Sequence, residues 1–190
     1  MPRRKTITDD EILERALPVI ARAGPGGFTL ADIARAIGLS PATLLQRFGN
    51  KKSLVERAFA RDNARFAEWV AALPGGSGME ATLAVYRAAT ATFHENPEPE
   101  LADHLLWLRE DIRDPVFNAM ARARFALFRA AIMRRLPPLR LPAEEVAHLL
   151  DAQCHGAIIQ WAIEPRGTLT EHVIESIARV LQLAAVSPEP

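Results

Sequence analysis

An all-α fold is predicted by three features of the sequence. Residues 29–48, TLADIARAIGLSPATLLQRF, spell two short helices joined by a glycine turn. Gly and Pro breakers divide the remaining chain into stretches whose apolar residues recur at helical spacing, and no stretch alternates as a half-buried strand does. About nine helices result, the first three forming a helix-turn-helix unit and the rest a second helical region.

Thr8-Asp9-Asp10-Glu11 has the form of a capping box, opening a helix that carries Ile12, Ala16, Val19 and Ile20 on one side and ends near Gly24. Pro25-Gly26-Gly27 forms the next loop. Thr29 caps the second helix, with Asp32 at the positive end of its dipole and Ile33, Ala34 and Ile37 as its apolar stripe. Gly38 follows where a positive φ is expected. Ser40 then caps a third helix with Pro41 at its first position, where a missing N–H is harmless. Leu44 and Phe48 face inward, which leaves Pro41, Ala42, Thr43, Leu45, Gln46 and Arg47 on or beside the outer face.

Such a helix fits a DNA major groove. Gln46 suits adenine, Arg47 a guanine edge or a phosphate, Ala42 and Leu45 a thymine methyl, and Thr43 a phosphate. Asn50 caps the following helix. Lys51 and Lys52 occupy its first turn, where cations oppose the dipole unless an anion lies near.

The order of helix, Gly-Phe-Thr, helix, Gly-Leu-Ser, helix ending in Phe, Asn-Lys and long helix resembles the tetracycline-repressor (TetR) family of bacterial transcription regulators over residues 8 to 60. Gly24, Phe28, Thr29, Ile33, Ala34, Gly38, Ser40, Thr43, Leu44, Phe48, Lys51 and Leu54 stand in register. Leu45 and Arg47 depart from the family's usual aromatic residues, which contact the DNA backbone. The resemblance assigns Thr29, Thr43 and Lys51 to phosphates, and Pro41, Ala42, Leu45, Gln46 and Arg47 to the groove, Arg47 being suited to either role. It implies residues 1–50 as the DNA-binding domain and residues 51–190 as a ligand-binding and dimerisation domain, connected by a helix from about 51 to 72.

Charge is distributed to match. The chain of 190 residues is neutral overall, but residues 1–72 hold 12 Lys+Arg against 8 Asp+Glu, and the remainder holds 11 against 15. Arg3, Arg4 and Lys5 form an amino-terminal arm suited to phosphates or simply to solvent. No long uncharged apolar run suggests a membrane span and no leader is evident, so a cytoplasmic protein is expected. Cys154, the single cysteine, is expected to be free and buried.

Pro74-Gly75-Gly76-Ser77-Gly78 marks a linker. Helices are expected beyond it at 79–95, 98–110, 115–136, 142–163 and 168–185. Tyr86, Phe93, His104, Trp107, Phe117, Met120, Phe125 and Phe128, with Met133, supply aromatic and thioether surface for an apolar effector pocket. The last two helices are apolar over more than one core stripe, and the resemblance implies that they pair across a two-fold axis. Leu149, Leu150, Ala157, Trp161, Val173, Ile177 and Leu181 are the expected dimer contacts. His148, Asp151 and His155 share a helix face, preferred as a polar seam of that interface over a metal site.

Phosphate loops, nucleophile elbows and zinc-protease motifs are lacking, so neither an enzyme nor a cofactor is expected. The expectation is a homodimeric repressor that binds a palindromic double-stranded operator and is released by a small apolar effector. An activator or an effector-less dimer needs the same contacts, and both stay open.

Overall fold

The computed structural model of the chain describes residues 7–24, 26–93 and 98–186. Among them lie nine helices: α1 (Asp9–Ala23), α2 (Leu30–Ile37), α3 (Pro41–Phe48), α4 (Lys51–Ala71), α5 (Met79–Thr90), α6 (Glu98–Arg113), α7 (Pro115–Met133), α8 (Ala143–Ile163) and α9 (Leu169–Ala184). An isolated bridge between Leu139 and Ala185 is the only β-pairing among the described residues.

Local chemistry sets these boundaries. Thr8, Thr29 and Thr168 each build a full capping box, with Glu11, Asp32 and Glu171 respectively. Ser40 accepts from the Thr43 N–H to open α3, and Asn50 from the Ser53 N–H to open α4. Gly38 ends α2 at φ 74°, ψ 31°, the left-handed conformation expected for it. Gly27 is required by space rather than by φ: a Cβ there would stand 1.9 Å from the Ala23 carbonyl oxygen.

Cap hydrogen bonds also tune acidity. The Thr29 hydroxyl holds the Asp32 carboxyl below its ordinary 3.8, the Val116 N–H does so for Asp114, and the Thr168 N–H holds Glu171 below 4.5. Because these folded values are depressed, their contribution to stability is complete above the unfolded values and is lost as pH falls through the folded ones. Thermal unfolding midpoints are therefore expected to fall as pH drops below 3.8, and Asp32→Asn to reduce that dependence, as a melting series against pH would show.

The chain divides into two compact units, Met1–Ala67 with Ala102–Arg124, and Glu68–Leu101 with Phe125–Pro190. The linear boundary expected at residue 50 runs through the first. That unit's core joins Ile12, Ala16 and Ile20 of α1, Ile33, Ala34 and Ile37 of α2, Leu44 and Phe48 of α3 and Leu54, Val55 and Ala58 of α4 to Trp107 and Phe117. Each fully buried large aliphatic side chain here is worth about 1.5–3 kcal/mol.

The second unit packs α9 against α8 and α5. Val146, Leu150, Ala157, Val173, Ile177 and Leu181 are wholly buried in it. Arg135 is also buried, and its guanidinium donates to the carbonyls of Pro74 (2.8 Å), Ala131 (2.8 Å) and Leu73 (3.1 Å). Cys154 is free and buried, and burial pushes its thiol up to about 12, which keeps it protonated and unreactive.

Candidate nucleic-acid interface

The α2–α3 pair stands as a helix-turn-helix because the ends of both helices are capped locally, leaving one face of each for the core and one for solvent. Along α3, Leu44 and Phe48 are buried while Pro41, Ala42, Leu45 and Gln46 are exposed. Leu45 is an apolar side chain with 48% of its surface in solvent. Thr29 and Thr43 lie at the helix starts, their hydroxyls engaged with the Asp32 carboxylate (2.7 Å) and the Ser40 hydroxyl (2.8 Å).

Two expected contact residues are placed otherwise. Arg47 is only 24% exposed: its Nε donates to Asp9 Oδ1 at 2.6 Å and a terminal nitrogen donates to the Ile7 carbonyl at 2.7 Å. Its guanidinium therefore ties the end of α3 to the start of α1 instead of standing in the exposed row of Pro41, Ala42, Leu45 and Gln46. The reason is distance: a long side chain beside a neighbouring carboxylate finds its counter-charge within the fold. Lys51 likewise donates to the Phe28 carbonyl at 2.7 Å and sits 3.9 Å from the centre of the Phe28 ring. It fastens α4 to the loop before α2, which accounts for a cation in the first turn without a phosphate. Lys52 is exposed and pairs with Asp114 (3.3 Å) and Glu56 (3.6 Å).

Arg57 is a residue that the sequence reading misses. It meets Asp9 Oδ2 at 2.9 Å and lies 4.7 Å over the Phe48 ring. Asp9 thus holds two guanidiniums, and Arg57 is the main cause of its lowered pKa. Beside it, Arg61 pairs with Asp10 (3.4 Å) and Glu14 (3.2 Å). The signal that could have found it is an acidic first turn, Asp9-Asp10-Glu11, with Arg57 and Arg61 four apart on a later helix. Arg3, Arg4 and Lys5 lie outside the described residues.

The eight residues expected around an effector fall into both units. Trp107 and Phe117 belong to the first unit's core, with Phe59 between them at 4.7 and 5.5 Å, and the Trp107 indole N–H donates to the Ala21 carbonyl at 3.1 Å. Met120 packs against the same core. These three serve the packing of the helix-turn-helix unit, because aromatic periodicity marks a buried face without saying which core receives it. Tyr86, Phe93, Phe125 and Phe128 belong to the second unit, where Phe128 meets Tyr86 edge-on at 5.7 Å and Phe125 meets His155 at 5.3 Å. The His104 side chain lies outside the described residues. A surface depression in the first unit, lined by Ile112, Arg113, Pro115, Asn118, Ala119 and Arg122, contains none of the eight.

Six of the seven expected dimer contacts, Leu150, Ala157, Trp161, Val173, Ile177 and Leu181, are buried within a single chain and are not available to a partner. Leu149 is exposed. A helix apolar on all sides has one face for its own core and one beyond it: Leu150, Ala157 and Trp161 lie on the inner face of α8, and Val173, Ile177 and Leu181 on that of α9. Asp151 also faces inward, paired with Arg129 at 3.0 Å, while His148 and His155 are exposed. Among the described residues no group of three His, Cys, Asp or Glu side chains is placed to hold a metal ion, and no helix is long and apolar enough to cross a membrane.

Residues 12–58 match the sequence profile described as bacterial regulatory proteins, tetR family. No curated protein sequence matches the chain. Among solved structures, a transcriptional regulator from Rhodococcus sp. Rha1 is similar in fold at 19% identity, covering 96% of this chain and 100% of its own, with a TM-score of 0.74. A protein described as a transcriptional regulator from Saccharomonospora viridis, solved in complex with choline, shares 21% identity over 92% of this chain and 95% of its own, with a TM-score of 0.69. The TetR-family regulator PfmR from Thermus thermophilus shares 18% identity over 93% and 99%, with a TM-score of 0.61. Residues 12–58 thus match the helix-turn-helix segment of the tetR family, and over nearly its whole length the chain shares the fold of these solved regulators.

Proposed function

We propose that the chain acts as a homodimeric repressor whose α3 reads a palindromic operator and which leaves DNA when a small ligand binds. The observation that carries the reading is the outer row of α3, Pro41, Ala42, Leu45 and Gln46, exposed together on a helix whose opposite face is buried. A single helix of eight residues makes too few base contacts for useful discrimination, and a symmetric pair about 34 Å apart reads two half-sites. Fluorescence anisotropy on random duplex pools at increasing salt tests the reading: affinity that falls steeply with salt supports it, and salt-independent or absent affinity opposes it.

Support for dimerisation comes from the outer face of α8. Leu149, Ile159 and Ile163, at 47%, 41% and 78% exposure, align with Ala152 and Gly156 at helical spacing. A Cβ at Gly156 would meet open space, so a partner helix could approach closely there. Ile159→Glu is expected to convert the protein to a monomer in sedimentation equilibrium with little change in helical content, because this side chain contributes little to its own chain's core. A dimer of unchanged affinity would place the interface elsewhere.

Effector binding is assigned to the second unit. Tyr86 is wholly buried, and its hydroxyl has no hydrogen-bond partner there, although Asp151 and Cys154 lie close enough to raise its pKa further beyond the effect of burial. An unpaired buried hydroxyl costs roughly 1–3 kcal/mol, which a ligand with one hydrogen-bonding group and an apolar body would relieve. The choline held by the Saccharomonospora viridis protein supports a small ligand of mixed character. Tyr86→Phe is expected to weaken the ligand's effect on duplex binding about ten-fold while preserving duplex affinity itself, as titration of an effector found by thermal-shift screening would show.

A further inference from the structure

The Asp9 carboxylate stands where three helices meet: it belongs to the first turn of α1, takes Arg47 from the end of α3 and takes Arg57 from α4. Arg47 is held twice more, by the Ile7 carbonyl at 2.7 Å and through its own carbonyl, which accepts from Arg57 at 3.5 Å. The other charged groups around this point are Asp10 and Glu14, both engaged by Arg61, and Glu11, engaged with Thr8. Arg47 is the one cation in α3, in the last turn of a helix whose outer face is otherwise neutral. A guanidinium free at that position would bind any phosphate or guanine it met, since charge attraction to DNA is independent of sequence.

We propose that Asp9 is a positioning and specificity-determining residue: by clamping Arg47 and Arg57 it fixes the recognition helix against α1 and keeps both cations off the DNA backbone. Base reading is then left to the neutral row Pro41, Ala42, Leu45 and Gln46. This inference rests on the reading of the chain as a duplex-binding protein. In it Arg47 acts through α1, and discrimination between sequences is gained by withholding sequence-independent attraction.

The experiment measures affinity against salt for two duplexes, one recovered by selection with the unaltered full-length protein and one scrambled sequence of equal composition. Asp9→Asn is expected to raise affinity for the scrambled duplex about three- to ten-fold and to steepen the slope of log K against log salt by about 0.9 for each arginine released. The ratio of selected to scrambled affinity falls correspondingly. Adding Arg47→Ala to Asp9→Asn takes back one such increment. Arg47→Ala alone, which does not depend on the folding of the Asp9 variant, is expected to weaken selected-duplex binding with no change in slope. Unchanged slope and ratio in Asp9→Asn, or a slope flattened by about 0.9 in Arg47→Ala, overturns the clamp while leaving the DNA reading intact. Absence of salt-sensitive affinity in the unaltered protein overturns the reading beneath it.

Discussion

Ala42→Glu is expected to abolish specific duplex binding, by a factor of roughly a hundred or more, with thermal stability unchanged or slightly raised. Ala42 is the second residue of α3, exposed, with Pro41 before it and the Ser40 cap behind. A carboxylate there is favoured by the helix dipole, so the fold tolerates it. Facing a phosphate backbone it is repelled, and in a dimer the repulsion acts twice. Ala126→Glu, an exposed position on α7 outside the helix-turn-helix unit, supplies the same charge as a control and is expected to leave binding unchanged. Comparable losses in both variants would indicate a general charge effect, and full binding by Ala42→Glu would remove α3 from the groove.

The second large effect concerns stability. Arg135→Met keeps the length of a buried side chain but leaves the carbonyls of Leu73, Pro74 and Ala131 without their donor, for an expected loss of about 3–5 kcal/mol. In a chain of this size that lowers Tm by roughly 10 °C, readable by calorimetry. Arg135→Lys is expected to recover less than half, because one ammonium cannot span three carbonyls that a planar guanidinium reaches in a fork. A Tm in Arg135→Met indistinguishable from that of the unaltered protein would mean that those carbonyls find other partners at no cost.

What could be foreseen in the sequence follows the range of the forces involved. Thr29, Gly38, Ser40 and Pro41 act on backbone within four residues of themselves, so the helix-turn-helix and its boundaries were legible in order and in detail. Arg47 and Lys51 are bound by partners 38 and 23 residues away, and nothing local distinguishes a cation waiting for phosphate from one already satisfied. Trp107 and Phe117 show the same limit for packing: their spacing announces burial, while their destination in the core of Ile12, Ile33 and Leu44 depends on the return of α6 and α7 to the first unit. In α8 the width of the apolar surface is plain in the sequence, but its two faces differ by a rotation of one residue. Leu150, Ala157 and Trp161 turn inward, and Leu149, Ile159 and Ile163 turn out.

The proposed withholding of cations would change how a duplex is read. With Arg47 on Asp9 and Lys51 on Phe28, the exposed row of α3 is neutral, and under the proposal attraction to the duplex would fall to the basic excess of residues 1–72 as a whole. On that proposal, discrimination between sequences would depend on Gln46 and on apolar contact from Ala42 and Leu45, and A·T-rich half-sites are the expected result of the selection.

Selection of bound duplexes from random DNA by the purified full-length protein tests the central claim most directly. The account predicts an enriched palindrome with half-sites about 10 base pairs apart, each reading lost when Ala42 is replaced by Glu. Enrichment of a single unrepeated site, or no enrichment over input at low salt, would contradict it.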